Sequence, residues 1–488
     1  MNTPLRRLST VVVLMFLGLM AGATWVQYVQ APALNNDQRN VRTLYREYGN
    51  FRGPIVVGGG AVASSVPVDD PFGYQRVYAN GPLYAPVTGF YSVVFGRDGI
   101  EEWFNTELNG SADSLFYERL QDLVTGRQTR GASVELTIDP VVQQAAWDAL
   151  GDQRGAVVAM DPTTGAILAM VSKPAYDPTA LAGHDFDAVR AAWDALQADP
   201  TEPMANRAIA GDTYPPGSTF KLVTAAAALE NGLIAETPVA APTTLTLPQT
   251  STQLGNFGGA ACSPTGALTL ADALRISCNT AFAQIGIDLG ADELREQAQA
   301  FGFDTPLNVP MRVTESHFPD DPDAPQTALS AIGQYEVRVT PLQMAMVAAA
   351  IGNGGVQMTP YLVQTVRSQD LTVVDTTEPT ELGRPVSGAT AAQLRDMMVG
   401  VVESGTGRSA QIPGVVVAGK TGTAQTTDEA APHAWFTAFA PAAPGTVPRV
   451  AVAVVVENGG SLGSEATGGA VAAPIARAVI QAALGGAR

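Results

Sequence analysis

Histidine is nearly missing from this 488-residue chain, which has three: His184, His317 and His433. They are scattered and share no metal-ligand spacing, so zinc is not expected, and nothing in the sequence calls for another metal or a cofactor. Basic side chains are also few, with 28 lysines and arginines against 46 aspartates and glutamates, a formal charge of −18. No segment supplies the basic stripe that a phosphate backbone requires, which argues against nucleic-acid binding and leaves the acidity to aid solubility. There is no internal repeat, and cysteine occurs only twice, as Cys262 and Cys278. What the chain has is apolar bulk. With 46% hydrophobic and 15% charged residues over this length it can bury more than one core, so two globular domains are expected.

Arg6 and Arg7 precede an apolar run from Leu8 to Val26, close to the roughly 20 residues that a bilayer-spanning helix requires. Trp25 and Tyr28 are placed for the far interface, and the positive flank keeps the N-terminus inside. Residues 1–30 therefore read as a cytoplasmic tip and uncleaved signal anchor, with the rest of a single-pass membrane protein on the extracytoplasmic face. A signal peptide cleaved at Ala21-Gly22-Ala23 is the alternative, but the apolar run is longer than the usual h-region and continues past that site. Disulfides persist outside the cytoplasm, so Cys262 and Cys278 are candidates to pair, with two buried thiols as the alternative. A bridge closing a loop of that size would stabilise by about 3 kcal/mol on the chain-entropy account.

Residues 31–150 are mixed and rich in turns. Arg52-Gly53-Pro54-Ile55 opens a strand-like run that Gly58-Gly59-Gly60 closes. No catalytic set occurs there, and the segment reads as a non-catalytic pedestal and interaction domain. The second domain, 151–488, opens with a β-hairpin: a strand from Gly155 to Met160, a turn at Asp161-Pro162-Thr163-Thr164-Gly165, and a strand from Ala166 to Ser172. Val415 to Ala418, Trp435 to Ala440 and Arg449 to Glu457 add three more. Five apolar strands need cover on both faces, and the alanine-rich stretch from Ala470 to Leu484 is one suitable helix. A helical insert between the strands holds helices at Ser218 to Leu229 and Leu270 to Leu289. The fold class is α/β, of the α+β kind.

The insert carries the chemistry. Ser218 and Lys221, in Pro215-Pro216-Gly217-Ser218-Thr219-Phe220-Lys221, are three apart and share a helix face. A serine hydroxyl is a weak nucleophile that needs an adjacent base, and a lysine serves if its surroundings favour the neutral amine. Ser277-Cys278-Asn279 and Lys420-Thr421-Gly422-Thr423 follow downstream, completing the ordered Ser-x-x-Lys, Ser-x-Asn, Lys-Thr-Gly set of a serine acyl-enzyme site. Each motif alone is as easily an ordinary helix face or cap; the ordered set is not. Ser218 at a helix N-terminus and the backbone N–H of Thr423 on an edge strand would form an oxyanion hole. Lys420 beside Lys221 disfavours protonation of that amine, and Ser277 can relay the proton to a leaving nitrogen. Asn279, Thr421 and Thr423 can hold a substrate amide and carboxylate, with Gly422 between the two threonines. Ser277 and Asn279 could also serve as a helix cap.

These residues resemble the class B penicillin-binding proteins, among them the actinobacterial A type. The likeness extends to Asn206-Arg207-Ala208, Gly333-Gln334, Val339-Thr340-Pro341-Leu342-Gln343-Met344, Gly405-Thr406-Gly407 and His433-Ala434-Trp435-Phe436. It covers residues 150–488 strongly and reaches the pedestal, less densely, through Arg52-Gly53-Pro54-Ile55 and Gly99-Ile100-Glu101. The resemblance implies a transpeptidase domain built on a five-stranded antiparallel sheet covered by helices on both faces. It implies attack by Ser218 on the D-Ala-D-Ala bond of a peptidoglycan stem peptide, loss of the terminal D-Ala and transfer of the acyl group to an amine of a second strand. It also implies acylation by β-lactams, lipid-linked nascent glycan as substrate, and a polytopic membrane glycosyltransferase as partner, since residues 31–150 are too few for a glycan-polymerising domain beside a pedestal.

Three other readings use the same residues. A D,D-carboxypeptidase would give the acyl group to water. A class A β-lactamase would add a deacylating glutamate, for which Glu315 is roughly placed but lies in Glu315-Ser316-His317-Phe318-Pro319 rather than a Glu-x-x-Leu-Asn context. A non-catalytic penicillin-binding sensor or scaffold would use acylation as a signal or the pedestal as its working part.

Overall fold

A computed structural model describes residues 2–30, 48–115, 124–126, 130–211, 213–425 and 431–485. The pedestal expectation for residues 31–47, 116–123 and 127–129 falls outside them. Helix α1 (Asn2–Thr24) continues through one π-helical turn, Trp25–Val29, and the pair is long and apolar enough to cross a membrane while burying nothing. Strands β1 (Ile55–Val57), β2 (Gly60–Pro67), β3 (Tyr74–Tyr78) and β4 (Ser133–Leu136) come next, then helix α2 (Pro140–Leu150). The expected hairpin is β5 (Gly155–Met160) and β6 (Ile167–Lys173).

The insert contains α3 (Lys221–Glu230), a small hairpin β7 (Thr244–Thr246) and β8 (Gln253–Gly255), then α4 (Leu270–Arg275), α5 (Asn279–Leu289) and α6 (Pro341–Gly352). Strands β9 (Val363–Arg367) and β10 (Val373–Thr376) and helix α7 (Gly388–Ser404) lead to β11 (Ala418–Ala424), β12 (His433–Ala440), β13 (Val450–Val456) and the terminal helix α8 (Ala473–Gly485).

The main sheet has the order β11-β12-β13-β5-β6, antiparallel throughout. Strand alternation divides its side chains between two cores. Ala156, Val158 and Met160 join Met344, Val347 and Phe220 on one face; Val157 and Ala159 join Ala146, Leu150, Ile475 and Val479 of α2 and α8 on the other. Both faces are thus covered by helices, as the apolar strands require.

The N-terminal sheet has the order β10-β9-β4-β1-β2-β3, so two of its six strands come from residues 363–376, beyond the catalytic insert. Strand β4 pairs in parallel with β1 and antiparallel with β9. Arg52 and Glu101, from two motifs that are separate in sequence, meet there as a buried ion pair, Arg52 Nε to Glu101 Oε2 at 2.5 Å, with Arg76 Nε on the other carboxylate oxygen at 2.6 Å.

Two helical expectations need correction. The stretch Leu270 to Leu289 is two helices, because Ser277 adopts a left-handed φ of +61° and breaks the path between them. The helix expected from Ser218 starts at Lys221, and Ser218 itself sits in a 3₁₀ turn, Gly217–Thr219, that leads into it.

Candidate active site

The turn bearing Ser218 is pinned on three sides. Trp435 Nε1 donates to Pro215 O at 3.1 Å, and Gly217 N donates to Gly333 O at 2.9 Å. On the third side lies β11, and here two glycines set the distance. Gly217 has φ +52°, and a Cβ there would lie 2.7 Å from Thr423 O; a Cβ on Gly422 would lie 2.8 Å from Pro216 O. Only glycine at both positions lets the Ser218 turn and the Lys-Thr-Gly strand lie this close. Strand β11 is the edge of its sheet, as expected, so one side of its backbone faces the site. Ser218 is half-buried between buried neighbours, and its hydroxyl takes no hydrogen bond among the described residues.

Behind it lie two wholly buried lysines. Lys221, in the first turn of α3, places Nζ 2.7 Å from Asn279 Oδ1, 2.9 Å from Ser277 O and 3.3 Å from Ser277 Oγ. Lys420 Nζ donates to the same Ser277 Oγ at 2.9 Å and to Thr421 O at 2.8 Å. Burial, reinforced by the Lys420 charge, holds the Lys221 amine well below the usual lysine range. Burial alone brings Lys420 down to about 7. Because Lys221 is pushed further, it is the one that stands neutral while Lys420 keeps its proton. A neutral amine donates twice and accepts once, which suits two acceptors, Ser277 O and Asn279 Oδ1, and leaves a lone pair for a hydroxyl proton.

Ser277 and Asn279 are brought to this centre by the break between α4 and α5. Neither is a helix cap: the N-cap of α5 is Cys278 and Asn279 is its first helical residue. A strained φ at a hydroxyl that faces both lysines is typical of functional positions. Cys262 and Cys278 form a disulfide, which ties the loop after β8 to this turn. Thr421 Oγ1 lies 2.6 Å from Thr406 Oγ1, and Thr423 Oγ1 accepts weakly from Gly468 N at 3.5 Å. Ser218, Lys221, Ser277, Asn279, Lys420 and the Thr421-Gly422-Thr423 run are thus drawn together by the Gly217–Thr219 turn, α3, the α4–α5 turn and β11.

Several residues of the site carried no role in the sequence reading. Thr406 stands out in the sequence only as part of Gly405-Thr406-Gly407, and Gly333 only as part of Gly333-Gln334, yet one meets Thr421 and the other supports Gly217. Tyr214, just before the nucleophile turn, donates its hydroxyl to Glu457 Oε1 at 2.7 Å, and Arg207 Nε donates to the same oxygen at 2.9 Å. Asn256, beyond β8, accepts from the N–H groups of Asn279 and Thr280. Glu315 is exposed, and among the described residues no carboxylate hydrogen-bonds to Lys221, Ser277, Asn279 or Lys420. The three histidines stand apart: His184 on Asp70, His317 on Asp304, and His433 accepting from Asn458 N.

The chain is similar to proteins of one family. Residues 155–481 match the penicillin binding protein transpeptidase domain, and residues 52–134 match the penicillin binding protein A dimerisation domain. The chain is 49% identical to the peptidoglycan D,D-transpeptidase PbpA of Mycolicibacterium smegmatis, over 99% of each chain, and 47% identical to that of Mycobacterium tuberculosis over the whole of both. It superposes on the ceftriaxone acyl-enzyme complex of penicillin-binding protein A from M. tuberculosis with a TM-score of 0.87, covering 90% of this chain and 100% of that one at 47% identity. With both domains matched, and three motifs from distant segments meeting around one hydroxyl, the chain belongs to the class B penicillin-binding protein transpeptidases, of the penicillin-binding protein A type.

Proposed function

We propose that this protein is a peptidoglycan D,D-transpeptidase with Ser218 as nucleophile, anchored by residues 1–30 with its catalytic domain on the extracytoplasmic face. The observation that carries the reading is the Ser277 hydroxyl standing between two buried lysines of which Lys221 is held neutral. The relatives are named peptidoglycan D,D-transpeptidases, and the M. tuberculosis protein forms acyl-enzymes with ceftriaxone, imipenem and penicillin G.

Lys221 takes the Ser218 proton as Oγ attacks the carbonyl carbon of the penultimate D-Ala. The backbone N–H groups of Ser218 and Thr423 stabilise the oxyanion, each such donor being worth about 10²–10³ in rate. As the C–N bond breaks, the proton passes through Ser277 to the leaving D-Ala nitrogen, and an ester to Ser218 remains. An amine of a second stem peptide then attacks that ester; its proton returns to Ser218, and the cross-link is released. Lys420 serves as the charge that keeps Lys221 neutral and draws in the substrate carboxylate, which Thr421 and Thr423 receive, while Asn279 holds the peptide amide. A β-lactam enters by the same first step and stays as the ester. The glycan comes from a separate polytopic membrane glycosyltransferase that supplies lipid-linked strands; Arg6 and Arg7 before the apolar run, and a disulfide in the catalytic domain, support the outward topology.

Full-length protein in detergent, incubated with penicillin G and followed by intact mass, should gain one adduct that lasts for hours and is absent from Ser218→Ala. With a stem pentapeptide donor and an amine acceptor it should release D-Ala and form the cross-linked product. D-Ala release with hydrolysis alone would identify a carboxypeptidase instead, and rapid loss of the penicillin adduct a β-lactamase.

A further inference from the structure

Helix α5 starts directly after a residue that leaves it uncapped. Its N-cap position is Cys278, whose sulfur is committed to the bridge with Cys262 and whose side chain makes no capping bond. The first N–H groups of a helix have no partner inside it, and the acceptor usually comes from the N-cap side chain itself. Here it comes from across the fold. Asn256, one residue beyond β8, places Oδ1 3.0 Å from Asn279 N and 3.1 Å from Thr280 N, with Thr280 Oγ1 3.4 Å from the same oxygen. Its Nδ2 donates to Thr243 O at 3.4 Å, so these partners assign which end of the amide is oxygen: reversed, an NH₂ group would face two N–H donors. The adjacent Gly255 O accepts from Asn279 Nδ2 at 3.3 Å. Asn279 is therefore held at its backbone by Asn256 and at one end of its side chain by Gly255. Its other end, Oδ1, is left facing Lys221 Nζ at 2.7 Å.

We propose that Asn256 is a positioning residue for acyl transfer: it caps the Asn279 helix from the loop after β8 and so fixes the Asn279 oxygen against Lys221. Such a role presupposes Lys221 as the base. Without the Asn256 oxygen, two N–H groups at the start of α5 seek water, the first helical turn loosens, and Asn279 no longer holds the amine in line with Ser218. A misplacement of that size at a base costs far more in rate than in binding. Lys420 is the charged group acting on Lys221 from β11, and among the described residues no carboxylate counters it. A negative charge introduced at 256 would accordingly favour the protonated Lys221.

The test is the second-order rate of acylation by a fluorescent penicillin, from about pH 6 to about pH 10, for full-length wild type, Asn256→Ala, Asn256→Asp and Ser218→Ala, with the melting temperature of each. Asn256→Ala should acylate roughly tenfold more slowly at every pH, at temperatures well below its melting point. Asn256→Asp keeps the acceptor and adds a charge: its acid limb should move to higher pH while its high-pH plateau recovers most of the rate. An Asn256→Ala rate and profile like wild type would overturn the role, as would an Asn256→Asp plateau as low as that of the alanine variant. Should Asn256→Ala fold poorly, the aspartate variant is read against wild type: a plateau near wild type with the acid limb moved up supports the role, and a plateau roughly tenfold lower overturns it. A wild type that forms no adduct would instead overturn the assignment of Ser218 and Lys221, which the Ser218→Ala control keeps distinct.

Discussion

Lys221 Nζ and Lys420 Nζ both lie within hydrogen-bond reach of one oxygen, Ser277 Oγ, at 3.3 and 2.9 Å. Two ammonium groups so close, both buried, cannot both stay charged near neutrality, and in the proposed mechanism the pair divides the roles of base and charge. The acylation rate should fall on the acid side as Lys221 takes up a proton, and on the alkaline side as Lys420 loses its own above about 7. Arginine keeps its charge to much higher pH, so Lys420→Arg should lose the alkaline limb even where it is slower overall. An unchanged alkaline limb in stopped-flow acylation of Lys420→Arg would refute the division of roles.

The same burial makes Lys420 costly to the fold. Its pKa of about 7 in the folded protein lies below the unfolded value of about 10.4, so between those values the unfolded chain binds more protons. Its penalty is therefore greatest at low pH and is relieved as pH rises through that window. Lys420→Met should unfold at higher denaturant than wild type at pH 6, by about 1–2 kcal/mol, with the gap closing toward pH 10 while acylation is lost. Urea titrations at both pH values measure the gap, and equal gaps at both would contradict the linkage.

Much of this arrangement was legible in the residues. Four strands announced themselves because each is apolar on both faces; the fifth, expected at Val415 to Ala418, is instead Ala418–Ala424, because the polar Lys-Thr-Gly run itself forms the edge strand, and the three motifs stand out because their residue types are needed at fixed spacing. Pairing over long separations was not legible: nothing in Val363–Arg367 says that it joins Ser133–Leu136 rather than the nearer strands. The break at Ser277 was hidden because the apolar spacing runs on through it with no glycine or proline to mark it. Asn256 was invisible because an asparagine in a polar loop is ordinary, and the helix it caps lies 23 residues on.

The bridge between Cys262 and Cys278, 16 residues apart, limits the unfolded chain and holds the loop of Asn256 beside the Ser277 turn. Replacing both by serine should lower stability by about 3 kcal/mol. Wild-type and double-variant melting curves, with and without dithiothreitol, check this: the reductant should lower the first and leave the second unmoved.

Gly217→Ala places a methyl at φ +52° and 2.7 Å from Thr423 O, forcing apart the Ser218 turn and the strand proposed to supply an oxyanion donor. Stability should fall by about 1–2 kcal/mol. Acylation should fall by about 10² or more, since the donor separates from the reacting carbonyl. A variant that melts lower but acylates normally would show that this contact serves the fold alone.

Far from the catalytic centre, Glu101 stands fully buried between Arg52 and Arg76. Burial by itself raises the carboxyl pKa, but Arg76 and Arg52 outweigh it and the net direction is down. The sign then follows: a carboxylate whose folded pKa lies below its unfolded value of about 4.3 adds stability above that value, and the gain is lost as pH falls through the folded pKa. Glu101→Gln removes the charge at every pH and leaves two buried guanidinium groups without a counter-ion, at a cost of about 3–5 kcal/mol. The expected result is a lower unfolding midpoint at pH 7 and a loss of the wild type's further destabilisation as pH falls below the unfolded value of about 4.3. Two curves that differ by a constant amount down to the lowest pH would mean that Glu101 holds the sheet by shape and hydrogen bonds rather than by charge.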